Sequence, residues 1–383
     1  MTVTVVCDVL GEENNGTTIA AMNLIKALKQ RGHTVRIVCG DEKRRGEEGF
    51  YVLPQINFGI FNGYVRKNGV APAKVNMDII RSAISGADAV HIMTPFFVGK
   101  AALKEAKRQG LTVTAGFHCQ AENLSSHLFL MNCRGFNKAV YKYFYRKFYR
   151  YVDCIHYPTQ FIRDVFEKEC GHKTQGRVIS NGVNARFVRK EKAVSGDAED
   201  KFILLSTGRY SREKSHKVLI KAVALSKYAD KIQLILAGDG PLKSKLEALA
   251  ARTLKNQPVF RFFGRDEMVD TINSADLYVH PAEIEIESIA CLEAITCGLV
   301  PVISNSDRSA ARYFALREDN LFEAGNAENL AKKNRLLVGL SPKKSREKSR
   351  IQRLYKKVFA GILHGRNGKD DNRNGGRACS LIR

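Results

Sequence analysis

Short apolar runs alternating with helix-period segments recur along this chain, and that alternation most limits its fold. In the first half, Val3–Val6, Val35–Cys39, Ala89–Ile92 and Val113–Phe117 are expected strands, with helices over Thr17–Arg31 and Gly99–Gln109. A second series follows: Phe202–Thr207, Ile232–Ala237, Phe260–Phe263, Leu277–His280 and Leu299–Ile303. Strands that alternate with helices pair in parallel, because each helix carries the chain back across a sheet face. At 383 residues the chain is long enough for two such domains, each with its own core. The expected class is α/β, with two Rossmann-like doubly wound domains.

Composition narrows the function classes. Hydrophobic content of 44% with 26% charge is globular. No apolar run approaches the roughly 18 residues needed to span a bilayer. Met1–Asp8 reads as a first strand without a charged leader region, so secretion is not expected. The nine cysteines are scattered, with no C-x-x-C pair, which suggests reduced cytosolic thiols instead of a zinc site or disulfide frame. The formal charge is +23, and more than half of it lies from Lys332 to Arg383. Such a balance points to a polyanion: an anionic membrane surface or nucleic acid.

The richest segment is Pro281-Ala-Glu-Ile-Glu285-Ile-Glu287-Ser288-Ile289-Ala-Cys-Leu-Glu293-Ala-Ile-Thr-Cys-Gly298. The apolar positions after Ser288 suit a short helix, with Ser288 as N-cap and Gly298 as its stop. Glu285 then sits on the loop before the helix and Glu293 inside it, the latter roughly 7–8 Å along the axis from Ser288. Between them, at Glu287, Ser288 and Ile289, lies a helix start whose backbone N–H groups can bind phosphate. The layout suits a ligand with a hydroxylated ring at each end and a diphosphate between, such as a nucleotide-sugar. The alternative is a solvated acidic loop before an ordinary helix.

This segment resembles the signature of the retaining family-4 glycosyltransferases, whose fold is the two-domain GT-B arrangement with an interdomain cleft. In that family the first Glu holds the transferred sugar and the second the ribose, which implies those roles for Glu285 and Glu293. The family usually follows its first Glu with a small residue or Pro, then Phe and Gly. Here Ile286-Glu287-Ser288 stand instead, so a third carboxylate is placed near an altered sugar pocket.

Other elements fit the resemblance. Phe202-Ile-Leu-Leu-Ser-Thr-Gly208-Arg209-Tyr-Ser-Arg-Glu-Lys214 is a strand, a turn and a helix beginning near Ser215. Gly208 allows the sharp turn, while Arg209 and Lys214 can aim two cations at a departing diphosphate. Arg212 is a spare. Ile232–Ala237 runs into Gly238-Asp-Gly240-Pro241, which resembles the family's Gly-x-Gly-Pro element at the donor wall; a plain turn is the alternative. Phe263-Gly264-Arg265 is a candidate lining for the nucleobase slot.

In the first half, Gly11-Glu-Glu-Asn-Asn-Gly16 opens a helix, but its spacing is not the dinucleotide fingerprint. The resemblance implies backbone approach to donor phosphate or acceptor at Gly16. His118 closes a strand, where ligands bind in open α/β sheets, and the resemblance places it near the sugar hydroxyls. Glu122 is its expected partner, and His91 is a core or acceptor-lining residue. The chain has no Asp-x-Asp triplet, so the expected enzyme is metal-independent and needs no cofactor, the nucleotide-sugar being a substrate.

Gly135–Val152 is unusually aromatic and basic. As one helix it puts Phe144, Tyr145, Phe148, Tyr149 and Val152 on one face, beside a stripe of Lys138, Lys142, Arg146 and Arg150. The reading taken is docking in a membrane headgroup layer; core packing and base stacking are the alternatives. Ile351, Leu354, Tyr355, Val358, Phe359 and Ile362 predict a last amphipathic helix, expected to pack on the N-terminal domain.

The expected domains are an acceptor-side domain at 1–180 completed by a helix at 343–364, a donor domain at 181–342, and a basic disordered tail at 365–383. The linker candidate is Lys190–Asp200. The segments His91–Phe97 and Glu285–Glu293 look like those of bacterial diacylglycerol glucosyltransferases. The resulting expectation is retaining transfer of a hexose, glucose from UDP-glucose, to a lipid such as diacylglycerol. It places the enzyme in the cytoplasm, peripheral on the inner face of the cell membrane. Alternatives are another NDP-sugar with a polysaccharide or small-molecule acceptor, and a nucleotide-sugar epimerase of the same fold. A non-enzymatic nucleic-acid binder would explain the charge but not the paired Glu residues, so nucleic acid is not the expected partner.

Overall fold

The computed structural model describes residues 1–10, 15–57, 59–63, 72–190 and 201–338. They form two compact units that divide between Asn181 and Gly182. The first unit runs β1 (Thr2–Cys7), α1 (Gly16–Gln30), β2 (Thr34–Cys39), β3 (Phe50–Val52), α2 (Met77–Ile84), β4 (Ala89–Ile92) and α3 (Phe97–Arg108). It continues through β5 (Thr112–Gly116), α4 (Ala121–Ser126), α5 (Arg134–Lys147), β6 (Cys154–Tyr157), α6 (Gln160–Cys170) and β7 (Gly176–Val178). Its parallel sheet has the order β3-β2-β1-β4-β5-β6-β7, so chain direction across the sheet reverses between β1 and β4.

The second unit runs β8 (Phe202–Thr207), α7 (His216–Ala224), β9 (Ile232–Ala237), α8 (Lys243–Thr253), β10 (Val259–Arg261) and α9 (Arg265–Ser274). It ends with β11 (Leu277–His280), α10 (Ile289–Thr296), β12 (Pro301–Asn305), β13 (Leu321–Glu323) and α11 (Ala327–Val338). The order is β10-β9-β8-β11-β12-β13, again parallel, with the reversal between β8 and β11. Alternate residues feed opposite faces: Leu204, Val279 and Val302 pack with Leu219 and Leu246, while Leu205, Tyr278 and Ile303 pack with Ile272 and Leu292. Strands apolar on both faces are what a sheet covered by helices on both sides requires.

Helix limits follow local chemistry. Asn15 and Asn76 accept from backbone N–H groups at the starts of α1 and α2, and Thr159 caps α6. Gly171 and Gly298 close α6 and α10 at φ of 81° and 87°, a region open to glycine without steric cost. Lys190, expected in a linker, is anchored in the second unit: its N–H bonds Asn273 Oδ1 at 2.7 Å and its ammonium pairs with Asp270. Residues 191–200, the helix expected at 343–364 and the tail at 365–383 lie outside the described residues.

The aromatic stretch corrects the membrane-docking reading of its apolar face. Helix α5 stops at Lys147, Phe148 leaves helical geometry at φ −149°, and the stripe wraps around Phe117. Phe117 lies 5.1 Å from Tyr149 and 4.6 Å from Phe166, and the Tyr149 hydroxyl donates to Gly116 O at 3.0 Å. Tyr141, Phe144, Phe148 and Tyr149 are all buried. These rings are core, because β5 and β6 give them an apolar sheet face to cover. Lys138, Lys142, Arg146 and Arg150 remain exposed. Among the described residues no helix is long and apolar enough to cross a membrane.

Candidate active site

The loops after β8, β9 and β11 meet where the second sheet reverses, the position at which open α/β sheets bind ligands. Gly208 and Gly238 touch backbone to backbone: a β-carbon on Gly238 would lie 2.1 Å from Gly208 O. One on Gly240 would lie 2.6 Å from Tyr210 N. These glycines therefore serve loop packing first, whatever else approaches them.

That packing fixes the β8 loop, which carries Arg209 and Lys214. Each cation already has an acidic partner. The Arg209 guanidinium donates to Glu213 at 2.8 Å, and Glu213 also accepts from Ser211 at 2.6 Å. Lys214 forms a short ion pair with Glu285. Arg212 is exposed.

Glu285 is largely withdrawn from solvent, its side chain 12% exposed. His280 Nε2 lies 3.1 Å from its Oε1. Burial alone would raise its pKa, yet the Lys214 charge and the His280 hydrogen bond outweigh burial and lower it to about 2. Glu293 is buried inside α10 and accepts from Arg265 at 2.7 Å. The Arg265 guanidinium in turn lies 4.7 Å over the Phe187 ring. Thus Lys214 and Glu285 come together directly, whereas Arg209 and Glu293 are each held by a different neighbour.

One expectation about this loop needs correction. Ser288 precedes α10 but makes no side-chain cap; its backbone is left-handed at φ 67°, and its hydroxyl lies 3.0 Å from His280 Nε2. Its side chain therefore fastens the loop to β11 instead of satisfying the helix start. Glu287 and Ile289 are both buried. Sequence reasoning misses His280, which closes the apolar strand β11 and lies against Glu285. The usable signal was a polar ring at the C-terminal end of a strand, the same signal that singled out His118.

In the first unit, His118 follows β5, and its ring covers Gly116 so closely that a β-carbon there would meet Nε2 at 2.2 Å. Its Nε2 is shielded and has no hydrogen-bond partner among the described residues. His118 stands edge-on to His156 at 5.7 Å, and His91 lies 6.4 Å from His156. Burial, with the neighbouring imidazoles, holds His118 well below the usual histidine range. Glu122 is not its partner; Tyr141 OH donates to Glu122 at 2.6 Å because a buried phenol requires an acceptor. His91 is buried in the sheet with Nδ1 2.8 Å from Thr114 Oγ1. Gly16 opens α1 and has room for a β-carbon among the described residues.

These imidazoles give a pH prediction. Burial lowers the pKa of His91 and of His216 from 6.5 to about 3, so both stay neutral in the folded protein. Unfolded, each takes a proton as pH drops below 6.5, so stability is complete above that value and is lost as pH falls toward 3. At pH 5 the loss is about 2 kcal/mol per histidine. Thermal unfolding between pH 7.5 and 5 should show a falling midpoint, and His91→Gln and His216→Gln should each flatten it.

Two family models match in tandem: Glycosyltransferase Family 4 over residues 14–187 and Glycosyl transferases group 1 over residues 187–353. The alpha-monoglucosyldiacylglycerol synthase of Streptococcus pneumoniae is 25% identical over 312 residues, covering 76% of this chain and 68% of that protein. The structure of Anabaena HepE in complex with UDP and glucose superposes at TM-score 0.71 with 16% identity, covering 95% of this chain and 97% of that one. The catalytic domain of cholesterol-alpha-glucosyltransferase from Helicobacter pylori is 42% identical, covering 42% of this chain and 99% of that one at TM-score 0.38. The chain belongs to the family-4 glycosyltransferases of GT-B fold and is a hexosyltransferase.

Proposed function

We propose that the protein transfers glucose from UDP-glucose to the hydroxyl of a membrane lipid such as diacylglycerol, with retention at the anomeric carbon. The observation that carries the reading is the Lys214–Glu285 pair where β8 and β11 reverse the sheet. It sets a cation for a diphosphate beside a carboxylate for sugar hydroxyls. Arg209 and Lys214 would stabilise the leaving diphosphate in place of a metal ion. Glu285 would orient the sugar, Glu293 the ribose, and His118 the sugar hydroxyls. The bond from the anomeric carbon to the diphosphate breaks as the bond to the acceptor oxygen forms on the same face. The acceptor's proton passes to the departing phosphate oxygen.

The lipid acceptor is supported by the monoglucosyldiacylglycerol synthase relative. It is supported also by surface chemistry: the exposed basic stripe of α5 accompanies exposed Phe97, Leu128, Phe129 and Tyr143 in the same unit. Cations beside solvent-exposed apolar groups suit an anionic headgroup layer. The test is mass spectrometry of vesicles containing diacylglycerol, monoglucosyldiacylglycerol or a sterol after incubation with a panel of nucleotide-sugars. A hexose added to diacylglycerol with UDP-glucose is expected. No glycolipid from any donor would remove the lipid-acceptor reading.

A further inference from the structure

We infer that His280 is a positioning residue for Glu285, fixed in one tautomer by a hydrogen-bond chain that begins at Thr207. The inference rests on the donor-site reading above but adds a residue and a direction to it. Thr207 ends β8, and its Oγ1 donates to Tyr278 OH on β11 at 3.0 Å, across the point where the sheet order reverses. Tyr278 OH lies 3.3 Å from His280 Nδ1. On the far side of the ring, Nε2 lies 3.1 Å from Glu285 Oε1 and 3.0 Å from Ser288 Oγ. Tyr278, His280 and Ser288 are all buried.

The direction follows from counting protons. Tyr278 accepts from Thr207, so its single hydrogen is directed to His280 Nδ1, which must then be the unprotonated nitrogen. Nε2 consequently carries the hydrogen and donates to Glu285, a carboxylate that can only accept. Every donor in the series is matched to an acceptor, and each bond polarises the next in a dry environment. Ser288 shares the Nε2 hydrogen. A serine held at φ 67° carries backbone strain that glycine would avoid. Glycine there would bring no hydroxyl to His280.

The chemical use appears when Lys214 is drawn to the diphosphate. Glu285 then loses its cationic partner, while His280 stays in place because β11 and the Tyr278 hydroxyl hold it. The carboxylate keeps one fixed donor and stays aimed at the sugar through the step that matters. His280 therefore contributes to turnover more than to donor affinity.

Two measurements test this. Nitrogen-15 NMR of the donor-free protein should show His280 protonated at Nε2 and bare at Nδ1. Tyr278→Phe, which removes the hydrogen donated to Nδ1, should shift the Nδ1 resonance. The opposite tautomer, or no change in the variant, overturns the chain whether or not any sugar is transferred. With UDP-glucose, His280→Asn, which lacks the Nε2 donor, should lower kcat roughly 10–100-fold with donor KM nearly unchanged. His280→Gln, which can restore an N–H near that position, should recover most of it. Equal kcat for wild type and His280→Asn, or equal loss in both variants, overturns the positioning role. A wild type inactive with every donor would instead count against the donor-site reading, leaving the tautomer result to decide the chain.

Discussion

Replacing Lys214 by alanine is expected to lower turnover by about 10²–10³-fold, the scale set by losing one preorganised charge at a developing anion. The same change should destabilise the second unit by about 3 kcal/mol, because Glu285 would keep its burial without its cation. The pH dependence identifies the source. Glu285 has a folded-state pKa of about 2 against an ordinary 4.5. Its contribution is therefore complete above pH 4.5 and is lost as pH falls toward 2. The stability gap between wild type and Lys214→Ala should close over that window. Unfolding curves at several pH values and steady-state kinetics with UDP-glucose check both parts. Unchanged kinetics together with unchanged stability would show that the pair is a surface contact and not part of the site.

Gly238→Ala should have a comparable effect by a different route. Its β-carbon would sit 2.1 Å from Gly208 O and 3.0 Å from Gly208 C, and neither atom belongs to a flexible side chain. The β8 loop would have to move, taking Arg209 and Lys214 with it. A loss of about 3 kcal/mol or failure to accumulate folded protein is expected. Gly16→Ala provides the contrast. An added β-carbon there meets nothing within 4 Å among the described residues, and the position opens a helix. Stability should hold or rise by about 0.4–1 kcal/mol. Unchanged stability with lost activity would mark Gly16 as a ligand-approach glycine, whereas Gly238 should lose both together.

Much of the architecture was legible because buried parallel strands are written as uninterrupted apolar runs. β4, β8, β9 and β11 begin and end where those runs do. β10, expected over Phe260–Phe263, lies at Val259–Arg261, whereas β3 and β13 span three residues each and are only partly buried, so their runs are too short to stand out. β6 was hidden by its neighbour: the aromatic run before it keeps helical spacing to Val152, although the helix ends at Lys147. Spacing records which residues are apolar but not where Phe148 turns the backbone away.

The site divides in a similar way. Lys214 and Glu285 were visible as residue types in adjoining motifs, since strand ends concentrate function. Their direct pairing, and that of Arg265 with Glu293, depends on packing between segments apart in sequence. The left-handed Ser288 was beyond sequence reasoning for a further reason: a serine before a helix ordinarily signals a cap, and φ is not encoded in residue type.

Lys214 and Glu285 satisfy each other in the donor-free protein, and under the proposed function that arrangement would act as a filter. Inorganic phosphate or a bare nucleoside diphosphate can compensate the lysine, but it leaves the displaced carboxylate with fewer hydrogen-bond donors. A ligand that presents hydroxyls at the same moment restores what the exchange removed. Discrimination against the abundant sugarless nucleotides of a cell would then arise from an internal counter-ion and not from steric exclusion.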